Sequence, residues 1–514
     1  MRRTSPSPAR NVAVASAVAS FVLISVIAAT PGSPLQPVLP AGAAPSGPFR
    51  WLSGVLGVDA LSADALVVLS VVAVTVAAAV FLLLLRMAWR RELSVRLVVV
   101  MGIAFHVGVL LLPLLISRDV YSYAMYGRIA GVYHENPYVV TPLDVRGDPL
   151  FSLIGPKWAG TPAVYGPGFT ALSAGLARWL DAIPALITAF RAIAAGAGIA
   201  TICIVVWLAR RLRPERAAFA AALIGLNPVV LFQSVGSGHN DVLVMLAVAA
   251  ALALTVLELR LLATVALTLG VLVKATALLP LLLLVLAVTA RSEPGRRLRT
   301  FLAHVAVSAG LFALFALPFM QTRDPSLGLL ELSRHEGWLA PSRFFRRIAE
   351  GIGGLVGVDA VGTTLAFAVR IAFGLALVVV MVLIARTVWR RAGDGRFDAA
   401  AMGASWGWAL LLLMLLGPVL LPWYVTWVLP LAWLLPKVPR TVTIGVSTAL
   451  AVSQWAAEPG RYPGAYKLNI LVGHYVITPI VAALLAWLLV DLRRRIRANA
   501  PLEDDRREVA AGAG

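Results

Sequence analysis

Cysteine is almost absent: Cys203 is the only one in 514 residues, and it stands within an apolar run. An intrachain disulfide and a cysteine-based metal site are therefore excluded. Charge is scarce too, at 13% of residues against 60% hydrophobic ones, far from the balance of a soluble globular chain. The sequence has no Walker phosphate loop, no dinucleotide fingerprint, no His-x-x-x-His pair and no acidic cluster with magnesium-binding spacing. These absences argue against a soluble nucleotide donor, and no residue pattern calls for a metal or another cofactor.

What the chain has instead is a series of apolar runs close to the ~20 residues that a bilayer requires. They predict an all-α polytopic membrane protein. Runs fall near 12–30, 64–86, 96–116, 185–209, 217–235, 241–258, 299–319, 360–388, 400–420, 423–436, 441–457 and 469–490. The first follows Arg2, Arg3 and Arg10 as in a signal peptide, but it is longer than the usual apolar core of one and reads as an uncleaved helix. The net charge of +19 would suggest nucleic acid in a soluble protein. Here the arginines cluster between spans, at 210–216, 291–299, 386–396 and 493–495, so the charge reads as topology and no nucleic-acid partner is expected. All clusters fall on one side only if 259–290 is two short helices meeting near Lys274. The expected total is about 14 helices (range 12–14), with both termini cytoplasmic. Three regions are expected: 1–63, a helix and Pro/Gly/Ala-rich linker; 64–492, the transmembrane catalytic region; and 493–514, a charged cytoplasmic tail.

On that topology the outer face carries the loops 117–183, 320–358 and 458–468. Loops of this length are functional or disordered, and the aromatic content of the first argues for function. Its apolar piece at 168–180 is too short to span and predicts an interfacial helix, as does the amphipathic run Arg343-Phe344-Phe345-Arg346-Arg347. Asn136-Pro137-Tyr138 and Tyr165-Gly166-Pro167 are turn formers.

The most informative residue is Asp119, within Ser117-Arg118-Asp119-Val120-Tyr121-Ser122-Tyr123 at the end of an apolar run. An acid emerging from a membrane segment is a functional candidate by default. If the chain is helical beyond Ser117, Tyr123 and Tyr126 share the face of Asp119, four and seven residues on. A carboxylate can take the proton of an attacking sugar hydroxyl, and tyrosines offer it apolar faces and donors. The alternative is an interfacial ion pair of Asp119 with Arg118 or Arg128. Gly236-Ser237-Gly238-His239-Asn240-Asp241 is a second candidate, a polar link between two apolar helices in which His239 can bind an anion or orient a hydroxyl. Against this, Asn240 or Asp241 is also a good N-cap. Lys274, alone within apolar sequence, either snorkels or meets a lipid phosphate. Arg343, Arg346, Arg347 and Arg461 are further phosphate donors. Leu421-Pro422-Trp423-Tyr424-Val425-Thr426-Trp427 reads as an interfacial aromatic belt behind a proline-broken entry.

Taken in order, Asp119 in the first outer loop, the interfacial helices, His239-Asn240-Asp241, the Lys274 half-helices and Pro422-Trp423-Tyr424 resemble the GT-C superfamily of membrane glycosyltransferases. Asp119-Val120-Tyr121-Ser122-Tyr123, Gly127-Arg128 and Asn136-Pro137-Tyr138 look most like the actinobacterial polyprenol-phosphomannose-dependent α-1,6-mannosyltransferases. The resemblance implies a GT-C-type helix bundle in the plasma membrane. It also implies transfer of a sugar, mannose above all, from a polyprenyl-phosphate carrier to a glycolipid or glycan acceptor of α-1,6-mannan (lipomannan) type on the outer face. Asp119 would be the base of an inverting reaction, and Arg118, Tyr123, Tyr126, His239, Asn240, Asp241, Lys274 and Arg461 would contact substrate. Transfer of arabinose or glucose on the same scaffold, or a transporter of lipid-linked sugars, is the alternative. A transporter is expected to show internal repeats and midplane polar residues, which the sequence lacks.

Overall fold

A computed structural model describes residues 8–38, 48–321, 327–328, 337–457 and 460–504. Arg2, Arg3, parts of the 31–63 linker, of the 320–358 and 458–468 loops and of the 493–514 tail lie outside them. Among the described residues there is no strand, and the chain is helical nearly throughout. Eight helical segments are long and apolar enough to cross a bilayer, and four more are apolar but shorter. The protein is an all-α polytopic membrane protein.

Two compact units emerge. The first comprises Met1–Pro162, Leu172–Leu246 and Leu450–Asn469. It holds α1 (Pro8–Ala29), α2 (Pro48–Val55), α3 (Ala63–Trp89), α4 (Val95–Val109) and α5 (Asp119–Gly131). The C-terminal part of α6 (Pro167–Trp179), all of α7 (Ile183–Leu212) and α8 (Ala217–Gly225), and the start of α9 (Asp241–Val256) complete it. Within this unit Phe21 of α1 stacks on Phe105 of α4, ring centroids 4.6 Å apart. The span expected at 96–116 is helical only to Val109, because Pro113 cannot supply the next backbone donor. The span at 217–235 changes to a π-helical stretch, Val229–Val235, directly after Pro228.

The second unit comprises Ala163–Ala171, Ala247–Ala449 and Ile470–Gly514. Here α10 (Arg260–Val273) and α11 (Leu278–Arg291) are the two short helices expected from the charge pattern, with Lys274 in the extended break between them. At 14 residues each they span ~21 Å, short of the ~30 Å apolar core. They are followed by α12 (Arg297–Ala316), the amphipathic α13 (Pro341–Val356) and α14 (Asp359–Gly393). Next come α15 (Ala399–Leu416), which is almost wholly buried, and α16 (Lys437–Ala451). The last two are α17 (Pro463–Val472), whose residues up to Asn469 are counted in the first unit, and α18 (Thr478–Arg497), which form one run through the π-turn Gly473–Ile477.

The sequence suggested an α-helix at 423–436. The structure has two 3-10 stretches, Pro422–Trp427 and Leu429–Leu434, with a proline lacking a backbone donor at the first position of one (Pro422) and the second of the other (Pro430). The expected aromatic belt there is also corrected: Trp423, Tyr424 and Trp427 are 3–6% exposed, and pack inside protein instead of meeting lipid.

Candidate active site

The chain reaches Asp119 through a strained approach. After α4, Ile116 adopts a left-handed conformation (φ 56°), which a β-branched residue tolerates poorly. Its amide is held by the Leu35 carbonyl at 2.8 Å. Arg118 donates to the carbonyl of Val38, and the Ser117 hydroxyl accepts the Asp119 amide at 3.1 Å. Nearby, the amide of Ala457 bonds Pro34, and Tyr462 donates to Gly32. The turn-rich piece 30–38 is thus sewn to segments 116–118 and 457–462 of the first unit through its own carbonyls.

Helix α5 then begins on Asp119 itself, an acid in the first turn, where the helix dipole favours negative charge. The face expected from i, i+4 spacing forms. Tyr123 places its hydroxyl 3.3 Å from Nδ1 of His239, and the Oδ2 atom of Asp119 lies 3.6 Å from the same nitrogen. His239 is fully buried, whereas 22% of the Asp119 side chain is exposed. A carboxylate is therefore presented outward, backed by an imidazole and a phenol.

His239 owes its position to the turn before α9. Gly238 has φ +72°, and a Cβ there would come within 3.2 Å of the Arg191 side chain and 3.3 Å of Val120, so this turn requires glycine. The Ser237 hydroxyl donates to the Leu115 carbonyl at 2.5 Å, which ties the turn to the approach to Asp119. Arg191, a cation that the sequence reading passed over, lies buried on α7 and donates to the carbonyls of Val109 and Leu112, both at 2.8 Å. It adds donors where α4 ends, to the Leu112 carbonyl and to that of Val109, which also accepts the Leu112 amide at 3.1 Å. The signal was present: a lone arginine inside an apolar run.

The alternative pairing of Asp119 with Arg128 is not what forms. Arg128 binds Asp148 at 2.7 Å, and Asp148 also accepts from the Tyr133 hydroxyl at 2.8 Å. That buried carboxylate organises the loop after α5, and the hydrogen bond to it raises the Tyr133 phenol above its usual range. Tyr126, expected to face substrate, is 2% exposed, and its hydroxyl donates to the Thr161 carbonyl at 2.9 Å. Burial and the neighbouring Asp119 raise its pKa, and burial carries Tyr121 up to about 12. Both phenols therefore remain protonated at neutral pH. Asn240 is buried, and neither polar atom of its side chain has a hydrogen-bond partner among the described residues, so it does not serve as the N-cap. Asp241 is the first residue of α9 and is also buried. Arg461 is exposed beside Gly32.

In the second unit, Lys274 does not snorkel. Its ammonium lies 4.3 Å from the centroid of Tyr424 and 5.3 Å from that of Trp427, two rings stacked 4.2 Å apart. The aromatic segment therefore holds a cation by its π faces. On α13, Arg343 and Arg346 lie 3.6 and 3.5 Å from Glu350, while Arg347 bonds His474 and Tyr475. Among the described residues no three of His, Cys, Asp and Glu are grouped to hold a metal.

The class of the protein comes from its likenesses to known proteins. Residues 163–418 match glycosyltransferase family 87, and 347–490 match the MptB C-terminal domain. Residues 17–290 match the family described as "Alpha-(1->6)-mannopyranosyltransferase, N-terminal domain", and the chain belongs to that family. It is 28% identical over 424 residues to alpha-(1->6)-mannopyranosyltransferase A of Mycobacterium tuberculosis, covering 76% of either protein. It is 33% identical over 146 residues to a Mycolicibacterium smegmatis protein named "Probable alpha-(1->6)-mannopyranosyltransferase", which is 27% of this chain and 25% of that one. The protein is a membrane glycosyltransferase, with a sugar donor and a glycan or glycolipid acceptor. The transporter alternative falls with that result.

Proposed function

We propose that the protein transfers mannose from a polyprenyl-phosphate carrier to the 6-hydroxyl of an α-1,6-mannan-type glycolipid at the outer face of the plasma membrane. Asp119 is the general base. Its carboxylate takes the proton of the acceptor hydroxyl as that oxygen attacks the anomeric carbon, and the bond from that carbon to the phosphate oxygen breaks with inversion. The polyprenyl phosphate leaves with the bonding pair. As a phosphate monoester it is a stable anion that needs little protonation, so one base suffices. His239 and Tyr123 position the carboxylate from behind. Arg118, Tyr126, Asn240, Asp241 and Arg461 remain candidates for substrate contact, with Asn240 favoured by its unmatched buried amide. Lys274 is our candidate for the cation that meets the lipid phosphate. Residues 64–492 would form the catalytic region, with both termini cytoplasmic.

The observation that carries this reading is the partial exposure of Asp119 in front of a sealed His239. Its test is radiolabelled transfer in membranes from cells expressing wild type or Asp119→Ala. Wild type should use polyprenyl-phosphate-mannose in preference to the glucose and arabinose carriers, and Asp119→Ala at normal abundance should not. Transfer retained by the variant would remove the base. Preference for another carrier would change the sugar.

A further inference from the structure

A second polar site lies in the other unit, far along the sequence from Asp119. The ends of α14 and α18 enclose a cavity of about 230 Å³ lined by Arg386, Arg390, Arg391, Arg495, Thr387 and Asn499. Among the described residues no acidic side chain lines it. Arg391 is 3.3 Å from Glu503 and Arg495 is 2.7 Å from Asp491, so two of the four cations are matched. Arg386 and Arg390 have no acidic partner among the described residues, so the cavity carries net positive charge.

The cavity is built, since the chain past α18 turns back to close it. Asn499 adopts the left-handed conformation (φ 49°), the Ala500 amide bonds the Arg495 carbonyl at 2.9 Å, and Arg495 donates to the Pro501 carbonyl at 3.0 Å. Guanidinium groups with a hydroxyl and an amide among them match the tetrahedral oxygens of a phosphate. A cavity of this volume exceeds what a small inorganic ion alone would fill.

The neighbouring surface indicates the source of that phosphate. One face of α14 leads into the cavity through Leu375, Val378, Val379 and Val382, each 54–60% exposed, at spacings of three and four. Apolar side chains exposed on a membrane helix face acyl chains, and the basic end of such a helix lies at headgroup depth. We propose that this pocket binds the phosphate headgroup of an anionic membrane phospholipid, whose acyl chains follow the exposed face of α14. This binding is independent of the transfer reaction and of the assignment of Asp119.

The full-length protein is reconstituted in nanodiscs of phosphatidylcholine with phosphatidylglycerol, washed in neutral detergent, and its retained lipid quantified by mass spectrometry. Wild type should retain phosphatidylglycerol over phosphatidylcholine. Arg386→Gln/Arg390→Gln should bind it about thirtyfold more weakly, at about fivefold per arginine, with unchanged melting in phosphatidylcholine alone. Phosphatidylglycerol should raise the melting temperature of wild type only. Equal retention by wild type and the double variant, or retention of both lipids alike, would overturn the proposal. Displacement of the lipid by inorganic phosphate at matched concentration would overturn the lipid assignment. If the double variant melts lower in neutral lipid, Arg386→Lys/Arg390→Lys, which keeps the charge, should restore both stability and retention; stability restored without retention would again refute it.

Discussion

His239 is sealed from solvent while Asp119 in front of it is not, and in the proposed mechanism the two divide the work. The partly exposed acid would exchange a proton with the acceptor. The buried imidazole limits the rotamers of that acid. Loss of the base should therefore cost more than loss of its support. Asp119→Asn, which keeps the shape, should lower kcat by roughly 10²–10⁴ with normal protein abundance. His239→Ala should lower kcat by about tenfold with KM little changed, and His239→Gln should recover part of it, because an amide can still bond the Tyr123 hydroxyl. Steady-state transfer assays in detergent check both. A KM effect in His239→Ala as large as the kcat effect would make it a substrate-binding residue instead. Asp119 and Tyr123 were legible as one helix face and His239 as a separate polar link, since each breaks a local pattern of apolar sequence, but that the three meet was not legible. What each would touch was not. Tyr126 shares the Asp119 face as the spacing requires, yet the loop end at Thr161 captures its hydroxyl, and no periodicity encodes a partner 35 residues away.

Helix α5 is aimed by close packing on one side. Gly127 and Gly131, four apart, face the last turns of α6, and a Cβ at either would lie 2.4 Å from the carbonyl oxygen of Ser173 or Ala174. Gly127→Ala should therefore push α5 off α6 and destabilise the first unit by about 1–3 kcal/mol, seen as a lower melting temperature in detergent. Arg191→Met should be comparably damaging, about 1–3 kcal/mol, because it strips the Leu112 carbonyl of its arginine donor and leaves the Val109 carbonyl only the Leu112 amide. Apolar length and charge placement made most elements legible, including the pair α10 and α11 around Lys274. The 3-10 stretches at 422–434 were less so. Hydropathy reports that such a segment is apolar, and only the prolines report that an α-helix is interrupted.

Across the whole molecule, the arginine clusters predict which ends of the helices share a side, and that prediction can be tested directly. Cys203 is the only thiol to remove. In a Cys203→Ser background, Glu135→Cys should react with a membrane-impermeant maleimide in intact cells, and Glu293→Cys only after permeabilisation. Both positions are exposed, so accessibility of the protein surface does not confound the comparison. The reverse pattern would place Asp119 inside and remove the outer-face reaction.

The stitches around residues 30–38 have a further meaning. The carbonyls of Gly32, Pro34, Leu35 and Val38 are the acceptors, so the seam reads peptide geometry, and at Gly32 (φ 79°) that geometry itself calls for glycine. Side-chain changes that keep this backbone path therefore leave the approach to Asp119 anchored, whereas a change that bends it would loosen three segments at once.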